Sequence, residues 1–304
     1  MFSPEQATFL YNAARKYFTL VPLAICPLTF FIDAPFGRFA PGSNTLFLVD
    51  GIKAWIVMEL VSPILFLWSF LTSPLSTGTH TSPSLLSPQS LLAGLYLIHY
   101  ANRALISPLR TPSRSKSHIS VPLSAILFNT INGSLMGSYL NSSVAQTHLA
   151  GVFSRAGFWA AIAMWSFGLV GNIWHDEVLL TLRRHAQSKA NAKPGTGEHY
   201  AIPYGGLYAF VSYPNYLCEW FEWLGFALAA APLPTISLAS LISLPSTLAA
   251  PASLFAPSLT PPYIFLFSEV LLMLPRAVRG HKWYHQRFGA SYPPDRRAII
   301  PFLL

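Results

Sequence analysis

Seven apolar stretches, at roughly 17–32, 54–71, 89–107, 120–140, 152–182, 205–231 and 261–275, set the terms on which this chain can fold. A hydrocarbon core of about 30 Å takes about 20 predominantly apolar residues of helix. Most of the stretches reach or approach that length, the first and last being short. Lipid offers the backbone no hydrogen-bond partners, so such spans are helices. Apolar residues make up 52% of the chain and charged ones 10%, where a soluble domain carries about 25% charged. The expectation is an all-α polytopic membrane protein: one domain over 1–304, seven transmembrane helices enclosing a polar cavity.

The basic residues give this arrangement an orientation. With seven spans, the loops 33–53, 103–118 and 183–204 and the tail from 276 share one side and hold 16 of the 19 lysines and arginines. Arg15, Lys16 and Arg155 are left opposite. Positive-inside sorting puts the C-terminus in the cytoplasm. The net charge of +8 is thereby read as membrane topology, and no nucleic-acid partner is expected. Two cysteines, Cys26 and Cys218, are too few for a disulfide framework. No cleavable leader is evident in the first twenty residues, so the first apolar helix is expected to act as an uncleaved insertion signal. Residues 73–89 read as a Ser/Thr/Pro linker, 186–200 as a solvated loop and 232–262 as an uncharged, proline-punctuated insert on the far face.

Polar side chains inside the apolar stretches point to the cavity. At 100° per residue, Asn172, Asp176 and Arg183 share a helical face. Asn215, Glu219 and Trp223 do the same at i, i+4 and i+8. An ionisable group within a membrane helix costs about 2.5–3.5 kcal/mol on insertion scales, so such faces usually line a cavity. Trp55 and Glu59 lie four apart, and Tyr100 and Arg103 three apart. Each has a plain packing reading: Glu59 satisfied by a neighbouring Ser or Tyr, Tyr100 as an interfacial aromatic. The functional reading of Glu59 is a buried carboxyl able to hold or pass a proton. Gly133 and Gly137 form a GxxxG, a signal of close helix approach, beside Asn129 and Asn132 as interhelical glue. In the basic-aromatic tail, Arg276, His281 and Tyr284 either meet a phosphate-bearing ligand or anchor a helix at headgroups.

Three segments carry a family resemblance: NIWHDEVLLTLR, YAIPYGGLYAFVSYPNYLCEWFEW and HKWYHQRFGASYPPDRRAIIPFLL. They resemble the C-terminal signatures of the steroid 5α-reductases, membrane-embedded NADPH-dependent reductases of carbon–carbon double bonds. WIVME, LIHYANR and NTINGSLMGSYL are similar to the steroid-reducing branch. The resemblance implies NADPH as cofactor, bound mainly by the part from about 120 to 304, and a hydrophobic, steroid-like substrate taken from the membrane lipids. It implies that Glu59 and Tyr100 contact the enone carbonyl. It places Asn172, Asp176, Arg183, Tyr200, Asn215, Glu219, Arg276 and Tyr284 around the dinucleotide, with Trp55, Arg103, Arg114 and His281 also at the cofactor site. A monomer in the endoplasmic reticulum is expected, and no metal. This chain departs at Phe36, where a tyrosine is usual, at Ala201 in place of an arginine and at Gly280 in place of a histidine. A polyprenol or trans-2-enoyl-CoA reductase of the same superfamily, and an S-adenosylmethionine-dependent isoprenylcysteine-type methyltransferase, stand as alternatives. No GxGxxG follows a strand, which excludes a Rossmann cofactor site.

Overall fold

Ser3 opens the first helix: its hydroxyl accepts from the Gln6 N–H while the Gln6 side chain takes the Ser3 N–H, satisfying two donors at once. Helix α1 (Pro4–Thr29) then runs on through Pro22 and Pro27. The residues before the first expected span and the span itself are therefore one helix. The computed structural model describes residues 3–40, 46–76, 84–192, 200–235 and 244–304. Parts of the Ser/Thr/Pro linker, the solvated loop and the proline-punctuated insert lie outside the described residues.

Asp50 caps α2 (Gly51–Thr72), its carboxylate accepting the Ile52 and Lys53 N–H groups at 3.0 and 2.8 Å. Helix α3 (Pro88–Tyr100) passes into a π-helical turn, Ala101–Ile106, and then a short α4 (Ser107–Arg110). α5 (Ser120–Leu140), α6 (Ser143–Leu149) and α7 (Ala156–Ala192) come next in the chain. The chain continues through α8 (Pro214–Ala230), α9 (Leu244–Ala249) and α10 (Pro261–Phe288). A two-residue antiparallel ladder joins β1 (Leu48–Val49) to β2 (Ser117–His118) on the basic side.

Helix α7 runs on to Ala192, so the first residues of the expected solvated loop are helical, and two further boundaries differ from expectation. Helix α8 begins at Pro214, not near 205, because Gly205 and Gly206 take positive φ (102° and 53°) and proline fits the first helical turn. Helix α10 continues to Phe288, well beyond 275, because nothing breaks it before Gly289 at φ 51°. Most of the basic-aromatic tail is thus helical. The last residues of the chain double back: Ser212 and Tyr213 N–H donate to the Arg297 and Ala298 carbonyls at 2.8 and 3.1 Å, clasping the C-terminal end to the lead into α8.

Among the described residues, three stretches rather than the seven expected, Gly51–Thr72, Ala156–Ser188 and Pro261–Ser291, are long and apolar enough to cross a membrane. Phe167 and Val170 on α7 are 74% and 64% exposed, as suits a surface facing lipid rather than water. Both cysteines are buried and unbridged.

Glycines set the closest helix contacts. A Cβ on Gly133 or Gly137 of α5 would lie 2.3 Å from the Ser62 or Phe66 carbonyl oxygen of α2. On the other side, a Cβ on Gly168 of α7 would lie 2.4 Å from the Glu222 backbone nitrogen of α8. Likewise Gly225 of α8 meets the Trp165 nitrogen at 2.5 Å. Backbone cannot yield as a flexible side chain does. Gly137→Leu is therefore expected to destabilise the protein by about 1–3 kcal/mol or more through overpacking, read as a lower melting temperature in detergent.

At the end away from the basic loops, the buried Arg15 donates to the Ala256 and Leu259 carbonyls at 2.7 and 2.8 Å. Lys16 reaches the Ala250 carbonyl at 2.7 Å. The described part of the proline-punctuated insert is thereby fastened to α1.

Candidate active site

The site grows from the π-helical turn. Widening the helix by one residue re-aims the side chains beyond it, and Arg103 emerges between two carboxylates from different helices. Its Nε lies 3.2 Å from Glu59 Oε2 of α2, and Nη1 donates to Glu219 Oε1 of α8 at 2.8 Å. Trp55 Nε1 donates to the Arg103 carbonyl at 3.1 Å while its ring faces the guanidinium at 5.3 Å. Both glutamates are buried.

The two polar faces of α7 and α8 meet each other. Asn172 Nδ2 donates to the Asn215 carbonyl at 3.0 Å and to Glu219 Oε2 at 3.3 Å. Asn215 Nδ2 donates to Asp176 Oδ1 at 2.9 Å. Trp223, on the same face, is 1% exposed and packs on the rings of His99 and Phe265.

Tyr100, 3% exposed, lies at the end of α3 with its ring 4.8 Å from that of Tyr96. Asn132 Nδ2 of α5 donates to the Tyr100 hydroxyl at 3.1 Å and equally to Tyr96. An oxygen that accepts from an amide keeps its own proton as a donor. Glu59 lies within electrostatic reach of Tyr100 but is paired with Arg103.

Toward the basic side the chemistry changes to guanidinium and aromatic surface. Arg114 stacks on Trp55 at 3.9 Å. Burial first, then the nearby Arg183 and Arg103, pulls its pKa down to about 10. Arg183 itself is exposed. Arg38 sits over Trp283 and Tyr284 at 4.7 and 4.5 Å and donates to the Tyr284 hydroxyl at 3.4 Å. Arg276 lies over Phe36 at 3.7 Å, so the ring that replaces tyrosine keeps the stacking surface. Tyr200 meets Trp283 edge to face at 4.9 Å. Tyr208 bridges the two zones, within reach of Asp176 on one side and of Tyr284 and Arg38 on the other.

Two guanidinium nitrogens here, Arg38 Nη1 and Arg114 Nη1, are buried without a hydrogen-bond partner. Among the described residues no carboxylate lies within ion-pair distance of Arg38, Arg114 or Arg276. Unbalanced cations against aromatic faces are what a large anion with planar rings requires. The donor set fits a phosphorylated dinucleotide. Gly280 has its own explanation: a Cβ there would fall 1.6 Å from the Tyr213 hydroxyl, so Tyr213 fills the space of the missing histidine.

The structure thus gathers Trp55, Glu59, Tyr100, Arg103, Arg114, Asn172, Asp176, Asn215 and Glu219 around one region. Arg276, Tyr284 and Tyr200 form the adjoining aromatic zone. His281 stands apart, its Nδ1 2.6 Å from the Ser212 hydroxyl in the clasp of the C-terminal tail. Several groups of the site are not picked out by sequence reasoning. Arg38 reads there only as loop charge and Asn132 only as helix glue. Glu222 and Glu269 are passed over, although an ionisable residue in an apolar helix is itself a signal.

A family model described as 3-oxo-5-alpha-steroid 4-dehydrogenase matches residues 115–256 and 251–304. The chain is 37% identical to an uncharacterized protein of Schizosaccharomyces pombe over 97% of its length and 99% of that protein's. It is 31% identical to a steroid 5-alpha-reductase of Solanum lycopersicum over the whole of both chains. With a 3-oxo-5-alpha-steroid 4-dehydrogenase 1 of Bos taurus it shares 31% identity over 90% of this chain and 89% of the other. By the extent of these matches, the chain belongs to the 3-oxo-5-alpha-steroid 4-dehydrogenase family, membrane oxidoreductases that act on CH–CH bonds.

Proposed function

We propose that the protein reduces the C=C bond of an α,β-unsaturated ketone, a 3-oxo-Δ4 steroid or a molecule much like one, using NADPH. The observation that carries this reading is the buried Tyr100 hydroxyl, which accepts a hydrogen bond from Asn132, with Glu59 within electrostatic reach. When bound, NADPH supplies the hydride that adds to the β carbon of the enone. Negative charge then gathers on the carbonyl oxygen, and a hydroxyl aimed at that oxygen stabilises it. Tyr100 is that donor, and Glu59 orients it and sets the local charge. Arg103 holds Glu59 in place. Asn172, Asp176, Asn215 and Glu219 line the nicotinamide and ribose end. Arg38, Arg114, Arg183, Arg276, Tyr200 and Tyr284 hold phosphates and adenine toward the cytoplasm, with His281 bracing that end.

The long helical segments α1, α2, α3–α4, α5, α7, α8 and α10 serve as seven spans in the endoplasmic reticulum, C-terminus cytoplasmic. Sorting of the basic loops supports this, as does the use of Arg15 and Lys16 in fastening the opposite end. The protein works as a monomer, and its substrate enters from the bilayer.

The test is oxidation of NADPH by the purified chain in nanodiscs on addition of a 3-oxo-Δ4 steroid, with the saturated ketone identified by mass spectrometry. Turnover of an enoyl-CoA or a polyprenyl enal with the steroid inert moves the substrate assignment. Methyl transfer from S-adenosylmethionine overturns it.

The depressed Arg114 gives a pH signature. A phosphate beside the guanidinium raises its pKa from about 10, so binding takes up a proton above that value. NADPH affinity is therefore expected to be full below pH 10 and to fall as pH rises through it. Arg114→Gln is expected to bind more weakly at neutral pH and to lose that alkaline step, both read by fluorescence titration.

A further inference from the structure

Reducing an enone consumes one proton per turnover, and the groups around Tyr100 are buried. A buried pair that the proposed mechanism leaves unused has the geometry to hold that proton. His99 of α3 is 3% exposed and Glu222 of α8 is 0% exposed. His99 Nδ1 and Glu222 Oε1 lie 2.8 Å apart. The second oxygen, Glu222 Oε2, is buried with no partner. Gly168 brings the α7 backbone against Glu222, closing that side. A fully ionised carboxylate with one bare oxygen at such a depth is costly. The pair therefore keeps a proton between its two members, on the carboxyl or on the imidazole.

The pair is also wired into the site. His99 Nε2 is 4.0 Å from Glu219 Oε1, and Glu219 and Glu59 are the two partners of Arg103. The imidazole stands edge-on to the Tyr100 ring at 5.1 Å. Facing the pair are Glu59 from α2, Tyr96 and Tyr100 from α3 and Arg103 from the π turn. Cys218 and Glu219 on α8 and Glu269 on α10 complete the set. Among the described residues, Arg103 is paired with the carboxylates Glu59 and Glu219 and lies within reach of Glu222 and Glu269, and Arg114 is also within reach of Glu59. Two guanidiniums cannot balance four carboxylates, so protons remain in the cluster.

We propose that His99 and Glu222 are the proton store of this site, a pair of positioning residues that recharges Tyr100 and Glu59. The proposal rests on the enone-reductase reading. As hydride forms the new C–H bond at the β carbon, the C=C π electrons move onto the carbonyl oxygen. The resulting enolate takes a proton at its α carbon, supplied through Tyr100 and Glu59. The proton given up there is replaced from Glu222 through His99 and Glu219. Water restores the store after product leaves.

Glu222→Gln and His99→Gln test this in the full chain in nanodiscs. Each is expected to lower kcat by about 10²-fold, with KM for the steroid and Kd for NADPH within about two-fold of wild type, the split expected when only proton supply is lost. The solvent deuterium isotope effect should rise while that from deuterated NADPH falls. Glu222→Asp should recover part of the rate. Independently of turnover, the infrared band of a protonated carboxyl in the ligand-free protein should weaken in Glu222→Gln. If Glu222→Gln does not fold, His99→Gln, which keeps a buried amide donor, carries the same comparison. A folded variant with unchanged kcat and solvent isotope effect overturns the proton store and leaves the reductase standing. A wild-type protein that reduces no enone overturns both.

Discussion

Tyr100→Phe is expected to lower kcat for enone reduction by about 10²–10³-fold, the usual worth of one donor to a developing oxyanion. Phenylalanine keeps the ring against Tyr96 and Trp223 at 4.8 and 6.5 Å, so packing survives. Asn132 loses one acceptor but retains Tyr96 and Ser62 at 3.1 and 3.4 Å, which holds the cost in stability to about 1 kcal/mol. NADPH affinity and the KM for steroid should hardly move. Glu59→Gln should lose a similar factor in kcat, with a larger penalty in stability because Arg103 is left with one carboxylate. Steady-state rates on purified variants, with NADPH binding measured in parallel, decide the matter. A Tyr100→Phe enzyme as fast as wild type removes the basis for the proposed activity.

Arg103→Met is expected to be the most damaging single change to the fold. It leaves Glu59 and Glu219 buried with no cation between them. Breaking a buried ion pair from one side typically costs about 3–5 kcal/mol, comparable with the whole margin of many proteins. The penalty comes from stranded charge, not from lost side-chain volume. The triple variant Arg103→Met, Glu59→Gln, Glu219→Gln should therefore regain most of the melting temperature. It should regain none of the activity, since Tyr100 loses its carboxylate neighbour. If the triple variant melts as low as the single one, Arg103 acts through packing on Trp55.

Helix periodicity makes much of this legible. Asn172 and Asp176 fall on one face and Asn215 and Glu219 on another, because spacing fixes side-chain direction on a helix. In the structure those faces meet, Asn215 on Asp176 at 2.9 Å. The glycines at 133 and 137 likewise announce a close crossing, which is the one between α5 and α2. Pairing between distant helices stays hidden. Asn132 is 32 positions from the hydroxyl it supports, and Glu222 is 123 from His99. Nothing within either segment names the partner. The π turn at Ala101–Ile106 has no composition of its own and is visible only in the backbone. The boundary of α8 is legible in principle, since Gly205, Gly206 and Pro214 mark it, but apolar character draws the span too far toward its start.

The glycine contacts have a mechanical consequence. α2 with α5, and α7 with α8, touch backbone to backbone, so each couple moves as a stiff plate. Arg103 is a rivet between the plates, held to α2 through Glu59 and to α8 through Glu219, and Tyr139 of α5 donating to the Ala230 carbonyl of α8 is a second. Flexing of the molecule is expected to fall on these side-chain links and to spare the welded crossings. A bulky guest arriving sideways from the lipid is thus expected to part the plates and unload Arg103 in the same movement.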